Sequence, residues 1–136
     1  VEPFLVGSSV RAFIAQRLVR RLCPHCSQPA KHSPERLEEI GFPPEWTEKI
    51  RRPVGCEKCR HSGYAGRTAL FEICLMSTRL QELIQRRAPA SELRELAIRE
   101  GMIPLRKDGW NRVAQGVTSL EEVIRVTASE LEVIDE

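Results

Sequence analysis

Two matched cysteine pairs constrain the fold of this chain more than any other feature of its sequence. Cys23 and Cys26 lie in the stretch LCPHC, and Cys56 and Cys59 lie in GCEKC. Each pair places two thiols on one tight turn, and two such turns offer a tetrahedral set of four sulfur ligands. Because zinc favours four thiolates in closed structural sites, the sequence predicts one structural zinc ion bound by these four residues.

The segment that joins the two pairs has too few apolar residues to build a core of its own. Prolines recur through it, and one short helix fits inside, with Ser33 as N-cap, Pro34 at the first position and Gly41 at the end. Leu37 and Ile40 give that helix a small apolar face. A segment with so little core needs a cross-link, and metal binding supplies about 10 kcal/mol or more of folding free energy.

Three other classes of protein with paired cysteines are alternatives to a zinc module. A redox couple needs only one C-x-x-C pair and a thioredoxin-like context. A rubredoxin-like iron carrier also uses two pairs, but such proteins are acidic and aromatic. A nucleic-acid zinc ribbon would be favoured by strong positive charge and stacking aromatics, whereas this chain has a net charge of +2 and 5% aromatic residues.

The histidines and the fifth cysteine are secondary candidates for metal chemistry. His25 lies inside the first turn and His61 directly after the second, so either is an alternative fourth ligand if a cysteine is not used. The simpler interpretation is that both are polar surface residues. His32 is expected to face solvent, and Cys74 is expected to be a buried, inert thiol on a strand.

Hydrophobic spacing predicts the elements outside the cysteine-rich segment. The run VEPFLV at the start is typical of a strand. Residues 10–22 are predicted to form an amphipathic helix, because Val10, Ile14, Leu18 and Leu22 recur every four residues. The stretch GRTALFEICLM is predicted to be a buried strand. Four helices are then predicted, in the stretches RLQELIQRR, ELRELAIRE, LRKDGWNRVAQG and LEEVIRVT.

Capping signals indicate where these four helices begin and end. The signals are the Thr78–Gln81 and Ser119–Glu122 capping boxes, Ser91 and Gly101 around the second helix, and Gly116 after the third. Gly109 lies inside the third helix, where a glycine weakens helix formation. On spacing alone, the chain is therefore an α+β fragment with a helical C-terminal part.

The sequence contains no recognisable constellation of catalytic residues. It has no G-x-x-x-x-G-K-[ST] phosphate loop, no H-E-x-x-H motif and no Ser/His/Asp set. No apolar run approaches the roughly 18 residues of a membrane span, and the start does not resemble a signal peptide. An odd number of cysteines without a secretion signal favours a reducing compartment. Since the first residue is not Met, we expect a fragment of a longer protein.

Three stretches, taken in order, are more specific than any single motif. They are VEPFLVGSSVRAFIAQRLVRRLCPHC, GCEKCRHSGYAGRTALFEI and GMIPLRKDGWNRVAQGVTSLEEVIRVT. Together they resemble the C-terminal part of the type II secretion and type IV pilus assembly ATPases, the family that includes general secretory pathway protein E. The resemblance covers nearly the whole chain, and AQRLVRRLC followed by a cysteine pair is its most distinctive element.

The resemblance implies an α+β, mostly helical fold. In it, a zinc-stapled tetracysteine insertion lies between a helix and a strand of a truncated RecA-like domain, and a C-terminal helical subdomain follows. The implied division is residues 1–22 for the end of the RecA-like core, 23–66 for the zinc segment, and 67–136 for the returning strand and helical subdomain. By motif match, the zinc ligands are Cys23, Cys26, Cys56 and Cys59.

The resemblance also implies a function for the parent protein. Such proteins form hexamers in the bacterial cytoplasm, peripheral at the inner membrane, and couple ATP hydrolysis to assembly of a pseudopilus or pilus. ATP and magnesium would bind only to parts of the parent upstream of this chain, so no catalytic or cofactor-binding residue is expected here. The implied partners are inner-membrane platform proteins and neighbouring ATPase subunits, with no direct nucleic acid. The alternative is a free-standing zinc-binding module for protein or nucleic acid.

Overall fold

The computed structural model describes residues 2–134, with side chains described as far as residue 128. Along these residues, all the strands lie between the first helix and the last four helices. In chain order they are α1 (Pro3–Ser9), β1 (Ala12–Leu22), β2 (Gln28–Pro29), α2 (Pro34–Glu39), β3 (Arg51–Arg52), β4 (Tyr64–Leu75), α3 (Thr78–Gln85), α4 (Ala90–Arg99), α5 (Leu105–Ala114) and α6 (Leu120–Ile134). Two short 3-10 helices, Pro44–Lys49 and Glu57–Cys59, lie on either side of β3. None of the helices within residues 2–134 has the length and apolar character that crossing a membrane requires.

The chain forms two compact units. Unit 1 comprises residues 1–16 and 71–104, and unit 2 comprises residues 17–70 and 105–136. Strands β1 and β4 pair with each other and contribute residues to both units. Their ends show that they run in opposite directions: Cys23 N–H donates to the Gly63 carbonyl at one end, and Met76 N–H donates to the Arg11 carbonyl at the other. The four cysteine-pair residues all belong to unit 2.

The prediction of a helix over residues 10–22 is wrong, because Ala12–Leu22 is strand β1. A spacing of four residues places side chains on one face of a helix, but it also places them on one face of a strand, where the period is two. The pairing with β4 decides between the two patterns. The tetracysteine insertion therefore lies between two paired strands, and not between a helix and a strand as predicted.

The prediction of a strand for the run VEPFLV is also wrong, since Pro3–Ser9 is helix α1. Pro3 stands at the start of the helix, where its fixed φ fits and no N–H is needed. Gly7 is the buried residue of α1, and its carbonyl accepts a hydrogen bond from the Gln81 side chain of α3 within unit 1. A Cβ at this position would lie 3.7 Å from Gln81, so α1 and α3 pack here at ordinary contact distance.

Several predicted elements are confirmed, with small shifts at their ends. In α2, the Ser33 hydroxyl accepts a hydrogen bond from the Arg36 N–H at 3.3 Å, and Gly41 follows with a φ of 76°. The predicted strand is β4, which begins at Tyr64, two residues before the predicted start, but it is not buried as predicted, since Leu70 is the one buried residue of β4. Helix α3 is capped by Ser77 and not by Thr78. Helix α4 begins at Ala90, directly before the predicted Ser91.

Unit 2 has one apolar core, to which β1, β4, the tetracysteine segment and the last two helices all contribute. Its buried members are Val19, Leu37, Phe42, Ile50, Leu70, Leu105, Trp110, Val113, Leu120 and Val123. Phe42 and Trp110 pack edge to face, with ring centroids 5.4 Å apart. The tetracysteine segment thus shares its core with α5 and α6, which compensates for the few apolar residues it carries itself.

Candidate metal centre

The four predicted ligands come together although 33 residues separate Cys23 from Cys56. Cys23 directly follows β1, and Cys26 lies in the turn that leads to β2. Cys56 precedes the second 3-10 helix, and Cys59 ends it. All four Sγ atoms lie within 4.8 Å of one another, and Cys23 and Cys59 are buried. Among the described residues that could hold a metal, this is the group that the structure assembles.

The distances between the sulfur atoms fit a tetrahedral metal site. Cys23 and Cys56 have their Sγ atoms 3.8 Å apart, as do Cys26 and Cys59, and the Cys56–Cys59 distance is 3.7 Å. Four thiolates at about 2.3 Å from a central zinc ion would be separated by about 3.8 Å. A disulfide requires an S–S distance of about 2.05 Å. The donor set therefore suits a tetrahedral metal ion and does not form disulfides.

Backbone N–H groups point at two of the sulfur atoms. Gly55 N–H donates to Cys26 Sγ, and the N–H groups of Cys56 and Gly63 both donate to Cys59 Sγ, each at 3.2 Å. These bonds favour the thiolate form, which is the form that binds metal. Outer hydrogen bonds of this kind orient metal ligands and support their charge.

The thiols of Cys26 and Cys59 have pKa values shifted in opposite directions. Burial raises the pKa of the Cys59 thiol, but hydrogen bonds from the backbone N–H groups of Cys56 and Gly63 and from the Cys56 and Cys26 thiols together lower it more, to about 6. The Gly55 N–H lowers the pKa of Cys26, but burial and the adjacent thiols raise it more, to about 11. The surroundings of Cys59 thus favour its thiolate, which is the form that binds a cation.

Two glycines allow the second turn to close around the sulfur atoms. Gly55 has a φ of 113°, and a Cβ at this position would lie 2.9 Å from the His61 carbonyl oxygen. Gly63 has a φ of 84° and lies against Pro53. Sequence reasoning overlooked Gly55. Its position directly before Cys56 is the signal that would have identified it.

A small sheet holds the first turn next to the second. Gln28 pairs with Arg52 and Pro29 with Arg51 in the antiparallel β2–β3 ladder. The Arg51 guanidinium also donates to the hydroxyl and to the carbonyl of Ser27, at 3.1 and 2.7 Å. These contacts fix the chain on both sides of the metal centre, so the four sulfur atoms keep their arrangement through the backbone around them.

The histidines lie outside the cluster. His25 and His61 are exposed, in line with the simpler interpretation that they are surface residues. His32 is partly exposed, so the expectation that it faces solvent holds in part. Cys74 is also only half-buried, so the prediction of a buried thiol holds in part. It borders an apolar cavity of about 420 Å³ within unit 1. Burial raises the pKa of its thiol, which makes it less reactive than an exposed cysteine.

The comparisons with known proteins agree on one family. The family model for type II/IV secretion system proteins matches residues 1–125. The type IV pilus assembly ATPase PilB of Myxococcus xanthus is 44% identical over 131 residues, which cover 94% of this chain and 23% of that protein. The type II secretion system ATPase E of Vibrio cholerae is 43% identical, over 93% of this chain and 25% of its own length.

A third relative from the same family is less similar to this chain. The type IV pilus assembly ATPase PilB of Thermus thermophilus is 38% identical over 93% of this chain and 14% of its own length. The chain thus spans about a quarter or less of the relatives it matches. The family match extends over both compact units and both cysteine pairs. The chain belongs to the family of type II/IV secretion system proteins.

Proposed function

We propose that this chain is the C-terminal part of a secretion or pilus-assembly ATPase and that it carries the protein's structural zinc site. The observation that carries the proposal is the tetrahedral spacing of the four cysteine sulfurs in a chain of this family. Cys23, Cys26, Cys56 and Cys59 are the ligands. Since the four thiolates complete a tetrahedron, no position remains for a substrate, so the ion is structural and not catalytic.

In this proposal, ATP hydrolysis belongs to the longer parent protein. ATP and magnesium bind to its other parts, because no phosphate-binding loop occurs among these 136 residues. The parent couples hydrolysis to pseudopilus or pilus assembly; in support, one relative is named a type IV pilus assembly ATPase and another a type II secretion system ATPase. It works as a hexamer in the bacterial cytoplasm, at the inner membrane, where platform proteins and neighbouring subunits are its partners.

We further propose that the paired strands are the end of a truncated RecA-like domain. Unit 1 supports this through its strand residues, since Ile14, Ile73 and Leu75 are 66%, 49% and 72% exposed. Apolar side chains so close together on paired strands are ordinarily covered by further protein. The division into residues 1–22, 23–66 and 67–136 follows from the same proposal.

The tetracysteine segment, residues 23–66, is proposed as a docking surface for the platform proteins or a neighbouring subunit. Its backbone is fixed by the β2–β3 ladder and by the metal ligands, so it presents a rigid face. Replacing Cys56 and Cys59 by Ser in the full-length protein is expected to abolish secretion or piliation. Normal secretion by that variant would refute the docking role.

The metal itself is tested by native mass spectrometry of the purified chain. We expect one zinc ion per chain, lost together with folded structure when a chelator is added. An iron increment with visible colour would favour the rubredoxin-like alternative, since the same four sulfur atoms suit iron. A chain without metal and with folded structure would refute the zinc site.

A further inference from the structure

Gly63 connects the two cysteine pairs through its own backbone. Its carbonyl accepts a hydrogen bond from the Cys23 N–H at 2.9 Å, and its N–H donates to Cys59 Sγ at 3.2 Å. The two peptide groups that flank Gly63 therefore each make a hydrogen bond to a cysteine, one to Cys23 of the first pair and one to Cys59 of the second. Because Gly63 is buried and lies against Pro53, it has little freedom to move independently of the metal centre.

Tyr64, the next residue, reaches from this point to the start of α6. Its hydroxyl lies 2.8 Å from the Ser119 hydroxyl, and Ser119 is fully buried. Ser119 in turn accepts a hydrogen bond from the Glu122 N–H at 3.3 Å, which caps the helix. The Arg20 guanidinium stacks on the Tyr64 ring, 4.2 Å from its centroid. The position of the Tyr64 side chain is thus tied to the first turn of α6.

The end of β1 makes a second connection to the same turn. The Arg20 N–H and guanidinium donate three hydrogen bonds to the Glu122 carboxylate, at 2.8 to 3.0 Å. The Thr118 hydroxyl donates to the Arg20 carbonyl, and the Leu22 N–H donates to the Val117 carbonyl, both at 2.8 Å. Leu22 directly precedes Cys23, so this second connection also ends at a metal ligand.

We propose that the metal centre positions the start of helix α6, so that metal binding and the docking of α6 are thermodynamically coupled. Gly63 and Tyr64 form one connection, and residues 20–22 of β1 form the other. The inference rests on the proposed metal site. When an ion fixes the four thiolates, the distance between Cys23 and Gly63 stays constant. Both connections then keep their hydrogen bonds to residues 117–122.

Coupling of this kind is reciprocal. If metal binding favours the docked helix by a given factor, then docking of the helix raises metal affinity by the same factor, so a variant with a weaker contact between Tyr64 and α6 should bind metal less tightly. Tyr64 is therefore a positioning residue for the metal centre, although its hydroxyl bonds Ser119 and no sulfur atom. Outer residues of metal sites change affinity by about 10-fold to 100-fold when they are replaced.

Hydrogen exchange of the unmodified chain provides the first test. Zinc is removed with a chelator and restored, and amide exchange is followed over residues 120–127. We expect zinc to slow exchange there by about tenfold or more. If zinc binds and exchange in α6 stays the same, the coupling is refuted while the zinc site stands. If no zinc binds, the proposed metal site is refuted, and this inference with it.

Metal affinity of Tyr64→Phe, measured by competition with a chromophoric chelator, provides the second test. This variant removes one hydroxyl and keeps the ring on which Arg20 stacks, and we expect its zinc affinity to fall about tenfold. The matched control is Ser33→Ala, which removes a capping hydroxyl from the same segment, where the hydroxyl accepts a hydrogen bond from Arg36 of α2. Equal affinity losses in both variants would overturn the coupling.

Discussion

Gly109 of α5 lies so close to Val123 of α6 that a Cβ at position 109 would overlap the Val123 methyl groups. Both residues are buried in the core of unit 2. The glycine that weakens α5 as an isolated helix is therefore the residue that allows the two helices to pack. This relationship reverses the usual expectation for a glycine within a helix.

Gly109→Ala should destabilise the chain, whereas glycine to alanine in an open helix gains about 0.5–1 kcal/mol. We expect a loss of about 1–3 kcal/mol, because the added methyl forces the helices apart. Urea denaturation at constant zinc concentration measures the loss. The double variant with Val123→Ala should lose less than the sum of the two single variants, since each change relieves the other. Strictly additive losses would show that the close packing does not matter.

Glu122→Gln should cost roughly 2–4 kcal/mol at pH 7, because the carboxylate has only 2% of its side chain exposed and accepts hydrogen bonds from Arg20 and Arg125. The exposed neighbour offers a matched control: Glu121→Gln should change stability by less than about 0.5 kcal/mol. Thermal denaturation of both variants measures the difference. Comparable losses in both would refute the buried network.

The same carboxylate predicts a pH dependence. Burial raises the pKa of Glu122, but hydrogen bonds from Arg125 and Arg20 lower it more, from 4.5 to about 2. A carboxyl group whose pKa is lower in the folded state than in the unfolded state stabilises the folded state at pH values above its unfolded pKa. This contribution is lost as the pH falls towards the pKa of the folded state. The stability difference between the unmodified chain and Glu122→Gln should thus be complete above about pH 5 and should shrink between about pH 4.5 and pH 2. A constant difference would contradict it.

Cys59→Ser should remove zinc and unfold the tetracysteine segment, because the sulfur with the most backbone hydrogen bonds is lost. Cys74→Ser is the matched control, since this cysteine lies in unit 1 outside the cluster. We expect one zinc per chain in the control and none in the variant, by native mass spectrometry. Zinc retained in full by Cys59→Ser would mean that this cysteine is not a ligand.

Gly63→Ala and Gly41→Ala separate local strain from damage to the metal centre. Both glycines have positive φ angles, 84° and 76°, so both substitutions cost about 1 kcal/mol of backbone energy. At Gly63 the added Cβ also meets Pro53, while at Gly41 nothing lies within 4 Å. Zinc affinity should fall by about tenfold or more in Gly63→Ala alone. An equal effect in Gly41→Ala would contradict the structural role of Gly63.

The cysteine cluster could be predicted from the sequence because its information is local. Each pair sets its own turn, and the structure brings the four Sγ atoms of the two turns within 4.8 Å of one another. The cap of α2 at Ser33 was equally local. By contrast, Arg20 and Glu122 lie 102 residues apart, and no spacing rule connects them.

Strand β1 shows why the remaining fold could not be read from periodicity. Val10, Ile14, Leu18 and Leu22 fit a helical face and a strand face equally, since both four and two divide their spacing. The pairing with β4, whose residues begin more than forty positions later, decides for a strand. Long-range pairing of this kind overrides a local pattern.

The hydrogen bond between Cys23 and Gly63 has a consequence for the architecture of the chain. Everything between these residues leaves the paired strands and returns to them at one point, so β1 and β4 would still be neighbours if a tight hairpin replaced it. The insertion is therefore joined to the two strands at a single place. Its length can therefore differ without a change in the register of the two strands that carry it, while Leu37, Phe42 and Ile50 pack its interior into the core shared with α5 and α6.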